Sequence, residues 1–327
     1  MKHVKDIYCD LGFWDNLSKN LSACNSIIAH EAQALIDWYD LFGRSHIYFD
    51  CTPKDFDDVS ENDPNLRMIW KKSTDGRCKL DFANVPIQNI CDENSITEGN
   101  VYNSLFLSQK KLEELANSIG IINICCDDLY KHKEIFNDIG PSIRKEEECS
   151  WSIILNKAKH NCNSMVIVDN YIFQDTDVNL YKILDSLLPV KLDRIFYLSI
   201  FSTDSYGDSE KKKEEIEEKM CELRPNLKLG EKFIIEVFKC ATDDFHDRGL
   251  ITNYMWIESG SGFNLMKKKG PFNKTESKKS TNIHITYPMI ISEERMKNSS
   301  SGYWNIIEDA KKCLKKRNKQ SENRLLK

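Results

Sequence analysis

The residues best placed to do chemistry lie between Phe245 and Asn264, in FHDRGLITNYMWIESGSGFN. His246, Arg248, Asn253, Gly260, Ser261 and Asn264 follow the spacing H-x-R-x4-N-x6-G-S-x2-N. An imidazole, a fixed cation and a small hydroxyl grouped in this way suit a single phosphate. The Arg248 guanidinium is a planar fork matched to phosphate oxygens. The amides of a glycine turn, with the Ser261 hydroxyl, can cradle the same oxygens. His246 can act as nucleophile or proton donor. Lys267, Lys268 and Lys269 follow directly and extend the candidate phosphate-binding set.

Two β-prone runs must position these groups. Leu250, Ile251 and Thr252 lead out of His246, and Met255, Trp256 and Ile257 form the second run. Side chains alternate along a strand, so His246 and Arg248 are expected on one face. Gly260 and Gly262 permit a tight turn and close backbone approach. Together these features predict that His246, Arg248 and Asn264 converge on one solvent-reachable pocket.

The spacing resembles the signature of the phospholipase D superfamily, with Arg248 where the family usually has Lys and Asn253 where it usually has Asp. The resemblance implies a phosphodiesterase or nuclease that needs no metal and no cofactor, with His246, Arg248 and Asn253 as its catalytic residues. His246 would attack phosphorus to form a phospho-His intermediate, and a second His would protonate the leaving oxygen. The chain holds one copy of the motif. The second His would therefore come from a homodimer partner across a two-fold axis, or from His284 in NIHITYP.

Arg248 keeps the charge but changes its shape. Asn253 removes a carboxylate that could steady an imidazolium, although tyrosyl-DNA phosphodiesterases, a branch of the superfamily, also carry Asn here. The segment is also similar to the phospholipase D-like C-terminal domain of MIT-domain proteins. That likeness implies a non-catalytic module binding phosphate, lipid or a protein partner. A single motif joined to a separate N-terminal domain resembles components of bacterial phage-defence systems, which implies further protein subunits.

The net charge of −5 conceals an asymmetry. From Leu265 to Lys327 there are sixteen Lys and Arg against six Asp and Glu, a surplus of ten positive charges that leaves −15 on the first 264 residues. A cationic segment beside a phosphate site points to a polyanion, with nucleic acid the leading partner. The composition is 40% hydrophobic and 30% charged, and no run is long enough to cross a bilayer, so a membrane partner is not expected. The N-terminus lacks the apolar core of a secretory signal. Twelve cysteines without such a signal or any CxxC pair point to free thiols in a cytoplasmic protein.

The pattern of runs predicts an α/β chain in which a phospholipase D-like half, a mixed sheet flanked by helices, follows a separate small N-terminal α/β domain. The domains are expected at 1–145 and 151–317, joined through the charged stretch PSIRKEEECS and followed by a basic tail at 318–327. SMVIVDNYIF, RIFYLSIF, KFIIEVFKC and NIHITYP read as strands of the second domain. Helices are expected after a cap at Asp177, at 210–223 and at 302–317, the last with Trp304, Ile307, Ala310 and Leu314 inward. In the first domain VKDIYCD, SHIYFD, NSLFLS and IINICC read as strands, with helices near 25–42 and 108–118 and a loop-rich stretch at 52–101. Asp10, Asp15 and Asp50 lie near strand ends, where a PIN-like nuclease would hold a metal ion.

Overall fold

A computed structural model of the chain describes residues 6–23, 36–39, 41–43, 45–82, 104–108, 112–118, 120–126, 129, 139–156, 162–189, 192, 195–203, 208–227, 230–245, 247–270, 274–287 and 303–327. The chain is mixed α/β and divides into two compact units, Met1–Asn137 and Asp138–Lys327.

The first unit is built on five strands, β1 (Asp6–Cys9), β2 (His46–Phe49), β3 (Lys79–Phe82), β4 (Ser104–Leu107) and β5 (Ile122–Ile124). They pair in the order β3-β2-β1-β4-β5, all parallel. Parallel strands need crossovers and bury both faces, so their sequences read as short continuous apolar runs. Helix α1 (Leu11–Ala23) follows β1 and puts Phe13, Trp14 and Leu17 into the core.

The stretch expected to be loop-rich instead contains α2 (Pro53–Ser60), α3 (Pro64–Thr74) and β3. Both helices open with proline after a side-chain cap, Thr52 with its Asp55 capping box and Asp63 on the amides of Asn65 and Leu66. Their apolar stripes are thin, with Phe56 buried in α2 and Leu66 and Ile69 in α3, which hides them among charged residues. Of the expected helix near 25–42, residues 25–35 and 40 lie outside the described residues.

Asp10 and Asp50 stand just beyond β1 and β2. Asp10 accepts from the Gly12 amide at 2.7 Å and Asp50 from the Leu11 amide at 3.3 Å, so both carboxylates hold the start of α1. Asp15 pairs with Lys19 one helical turn on, at 2.5 Å.

The second unit carries a seven-stranded sheet ordered β6-β14-β11-β10-β7-β8-β9. These strands are β6 (Ser142–Ile143), β7 (Ser164–Val168), β8 (Phe196–Thr203), β9 (Phe233–Cys240), β10 (Gly249–Thr252), β11 (Trp256–Ser259) and β14 (Thr281–Thr286). The β7, β8 and β9 strands are parallel, and the others join antiparallel. A two-stranded ribbon, β12 (Met266–Lys269) with β13 (Lys274–Ser277), follows β11. Helix α4 (Glu113–Ser118) belongs to the first unit, and the second unit carries α5 (Trp151–Leu155), α6 (Leu180–Leu187), α7 (Ser209–Leu223) and α8 (Tyr303–Lys316).

Three expectations change here. Residues 141–150 are not a linker. Ser142–Ile143 pairs with β14, and Glu146, Glu147 and Cys149 make backbone hydrogen bonds to Ser277 and Thr275 of β13. The helix at 180 is not capped by Asp177: its N-cap is Asn179, and Asp177 instead meets Lys268 at 3.3 Å. Residues 318–327 are not a loose tail. Leu325 and Leu326 are buried, and the buried Asn323 amide donates to the Met165 carbonyl at 2.9 Å and to Ser199 Oγ at 3.0 Å.

Helix α8 presents Ile306, Ile307, Ala310, Cys313 and Leu314 as its buried stripe, while the Trp304 side chain lies outside the described residues. Asp244 ties this helix to the segment after β9 through Lys316 and Arg317, each at 2.8 Å. The Lys316 hydrogen bond, then the Ala241 amide and Arg317, hold the Asp244 carboxyl down at about 2 against the effect of burial. A depressed carboxyl contributes stability above its ordinary value of about 4 and loses it as pH falls toward about 2. Thermal unfolding between pH 5 and pH 2 should therefore show a fall in midpoint that is shallower in Asp244→Asn. Equal slopes for the two proteins would contradict this anchor.

Candidate functional site

The motif segment folds as a β-hairpin inserted beside β7. Gly249–Thr252 runs antiparallel to β7, with Gly249 opposite Val168, and Trp256–Ser259 returns against it. Arg248 therefore enters the sheet beside the carboxyl end of β7, next to Asp169. His246, two residues before Arg248, lies outside the described residues, and so does its expected convergence with Arg248 and Asn264.

Asp169 organises this end of the sheet. Its side chain is buried and accepts from the Tyr171 amide at 2.7 Å and from the Phe263 amide, with the Asn264 amide and the Arg248 charge also acting on it. Burial pushes its carboxyl above the ordinary range, and the Phe263 and Tyr171 amides and Arg248 oppose that shift. Arg248 Nη1 donates to the Ser261 carbonyl at 3.4 Å, and its guanidinium lies 5.2 Å from the centre of the Tyr171 ring. Tyr171 is 40% exposed, so this cation–aromatic pair stands at the surface.

The Gly260–Asn264 turn closes over Asp169. Gly262 has φ +78°, and a Cβ there would sit 2.7 Å from Asp169 Oδ2 and 3.0 Å from Arg248 Nη1. Two demands thus select glycine at this position: left-handed backbone and absence of a side chain. Ser259 Oγ donates to the Gly262 carbonyl at 2.7 Å and fixes the turn from the other side.

Asn264 is already engaged. Its Nδ2 donates to Gln174 Oε1 at 2.6 Å, and its Oδ1 accepts from Asn179 at 3.2 Å and from Lys278. Asn179 is fully buried and also receives the Trp151 indole at 3.0 Å and the Met266 amide at 2.8 Å. It locks α6, β12 and Asn264 together.

The motif residues are only partly brought together. Arg248, Ser261 and Asn264 meet around Asp169, with Gly260 exposed at the turn. Asn253 lies beyond the other end of β10, fully buried, accepting the Asn163 amide at 3.1 Å. A four-residue strand separates it from Arg248, more than about 13 Å of chain. His284 is opposite Glu258, which is opposite Gly249, so it stands two strands from β10, about 10 Å away. Its row also contains Gly249, which Ile306 of α8 crowds.

Lys267 and Lys269 both reach Glu276 across the ribbon, at 3.1 and 3.0 Å, and Lys268 reaches Asp177. Sequence reasoning missed the organising roles of Asp169, Tyr171, Gln174 and Asn179. The one available signal was a carboxylate ending the apolar run MVIV, where an acid must find partners. No family model matches the chain, and a comparison with curated proteins finds no match either.

Gly262→Ala should destabilise the second unit by about 1–2 kcal/mol from the backbone alone, with more from displacing Arg248. A thermal midpoint unchanged from wild type would rule out the crowding described here.

Proposed function

We propose that the Arg248 site recognises the phosphate of a nucleic-acid phosphodiester in a phospholipase D-like manner and that His246 cleaves it as nucleophile. The observation carrying this reading is the Arg248 guanidinium held beside the Gly260–Asn264 turn, between the Ser261 carbonyl and the exposed Tyr171 ring. A fixed cation suits phosphate oxygens, and the guanidinium carries this reading because the Phe263 and Asn264 amides of the turn are taken by Asp169. The adjoining aromatic face suits a nucleobase better than a lipid headgroup.

The second basic population supports a polyanion. Lys311, Lys315, Lys319 and Lys327 line a shallow hollow of about 470 Å³ at the end of α8. The ribbon lysines, by contrast, are compensated by Glu276 and Asp177. Sustained contact with a phosphate backbone is accordingly assigned to the α8 hollow, and the ribbon is assigned to shaping the turn.

A non-catalytic phosphate-, lipid- or partner-binding module is the second reading. It is favoured by the distance of Asn253 and His284 from Arg248, which leaves the leaving-group acid to a second subunit in a homodimer.

End-labelled single- and double-stranded DNA and RNA should be cleaved in the presence of EDTA, with His246→Ala losing turnover and Arg248→Ala losing both binding and turnover. Binding without turnover by the wild type, lost in Arg248→Ala, would establish the module instead. Neither binding nor turnover would refute both.

In a salt titration of binding, Lys311→Glu with Lys315→Glu and Lys319→Glu should flatten the slope of log K against log salt by about 2–3. Reversing Lys267, Lys268 and Lys269 should change it less. The opposite ranking would move the contact to the ribbon.

A further inference from the structure

Away from the Arg248 site, β9 ends at Cys240 and α8 carries Cys313 across from it. Their sulfurs are 3.4 Å apart, and both residues are buried, 1% and 3% exposed. The ten described cysteines are all free thiols, so this contact joins two thiols, not a bridge. Asp244 completes a group whose ligand-type atoms all lie within 4.8 Å of one another.

A metal ion is one chemistry for two sulfurs and a carboxylate, but the charges disfavour it. Asp244 is already taken by Lys316, Arg317 and the Ala241 amide, and two cations beside a site oppose a third. The same cations favour a thiolate. The Arg317 Nε is buried and has no hydrogen-bond partner among the described residues, and the guanidinium lies beside Cys313. Either sulfur can donate in the contact between them, and the Cys313 thiol also faces Asp244 Oδ2 at 3.8 Å. The bond to Cys240, with help from Arg317, brings the Cys313 thiol down to about 7 against burial and the Asp244 charge, whereas the Cys240 thiol is raised by its bond to Cys313 and by burial. Cys313, with the Arg317 guanidinium beside it, is the better placed of the two sulfurs to react as a thiolate.

We infer that Cys240 and Cys313 form a redox pair that closes to a disulfide on reaction with a hydroperoxide, Cys313 attacking and Cys240 resolving. The Cys313 thiolate attacks the near oxygen of hydrogen peroxide, the O–O bond breaks, and hydroxide leaves, giving a sulfenic acid. The Cys240 thiol then attacks that sulfur. The S–O bond breaks, the oxygen leaves as water with the Cys240 proton, and the S–S bond forms. In sum two thiols are oxidised and one peroxide is reduced to two waters. The sulfurs need to close from 3.4 Å to about 2.05 Å. The bond would fasten α8 to the end of β9, where the segment leading to Arg248 begins.

The test treats the full chain with hydrogen peroxide at neutral pH, alkylates remaining thiols and maps peptides by mass. The expected result is a linked peptide pair joining residues 240 and 313, lacking two hydrogens, formed on the order of tenfold faster than modification of Cys221, which is exposed. In Cys240→Ser, Cys313 should stop at the sulfenic acid and be trapped by dimedone, while the wild type should not be trapped there. Persistence of both thiols while Cys221 oxidises, equal trapping in wild type and variant, or stoichiometric zinc whose removal alone exposes the two thiols would each overturn the pair.

Discussion

A carboxylate at the end of a fully buried strand has to be compensated where it stands, and the Asp169 carboxylate is compensated by backbone. The amides of Tyr171, Phe263 and Asn264 converge on it, and the Arg248 charge lies alongside. Because leaving a buried charge unpaired costs several kcal/mol, the loop that supplies those amides is held to β7. That requirement explains the crowding at Gly262 and the orientation of Arg248 against Tyr171 and the Ser261 carbonyl. Asn179 extends the same logic to the next stretch, satisfying Met266, Asn264 and Trp151 from one buried amide.

The positive C-terminal segment is electrostatically two things. On the ribbon, Lys267 and Lys269 share Glu276 and Lys268 has Asp177, so the lysine run that looks most cationic in sequence is largely balanced in space. On and after α8, Lys311, Lys315, Lys319 and Lys327 gather around one hollow. Linear charge density was therefore a poor guide to surface potential, because cross-strand and cross-loop carboxylates are remote in sequence.

Most strands of both units were legible as short apolar runs, and β8, β9 and β14 fall where RIFYLSIF, KFIIEVFKC and NIHITYP predict them, whereas the strand expected over SMVIVDNYIF stops at Val168 and β3, β6, β12 and β13 lie in stretches that carried no such run. The glycine turn was legible too. Helices α2 and α3 were hidden by their thin apolar stripes, although Thr52-Pro53 and Asp63-Pro64 carried start signals. The stretch 141–150 looked like a linker because its side chains are charged, but its contribution is made by backbone amides and carbonyls that no composition reveals. The distance between Arg248 and Asn253 follows from the strand between them, and a motif written as one line conceals it.

That backbone contribution bears on how the second unit can be separated from the first. Residues 139–149 occupy the outer edge of β14, through Ile139, Ser142 and Ile143, and then the outer edge of β13, through Glu146 to Cys149. A fragment beginning at Trp151 would retain nearly all of the apolar core yet present two unpaired strand edges to solvent. Such edges pair with copies of themselves. The charged stretch thus serves as a sheath against self-association, and a soluble fragment of this unit should begin ahead of Ile139.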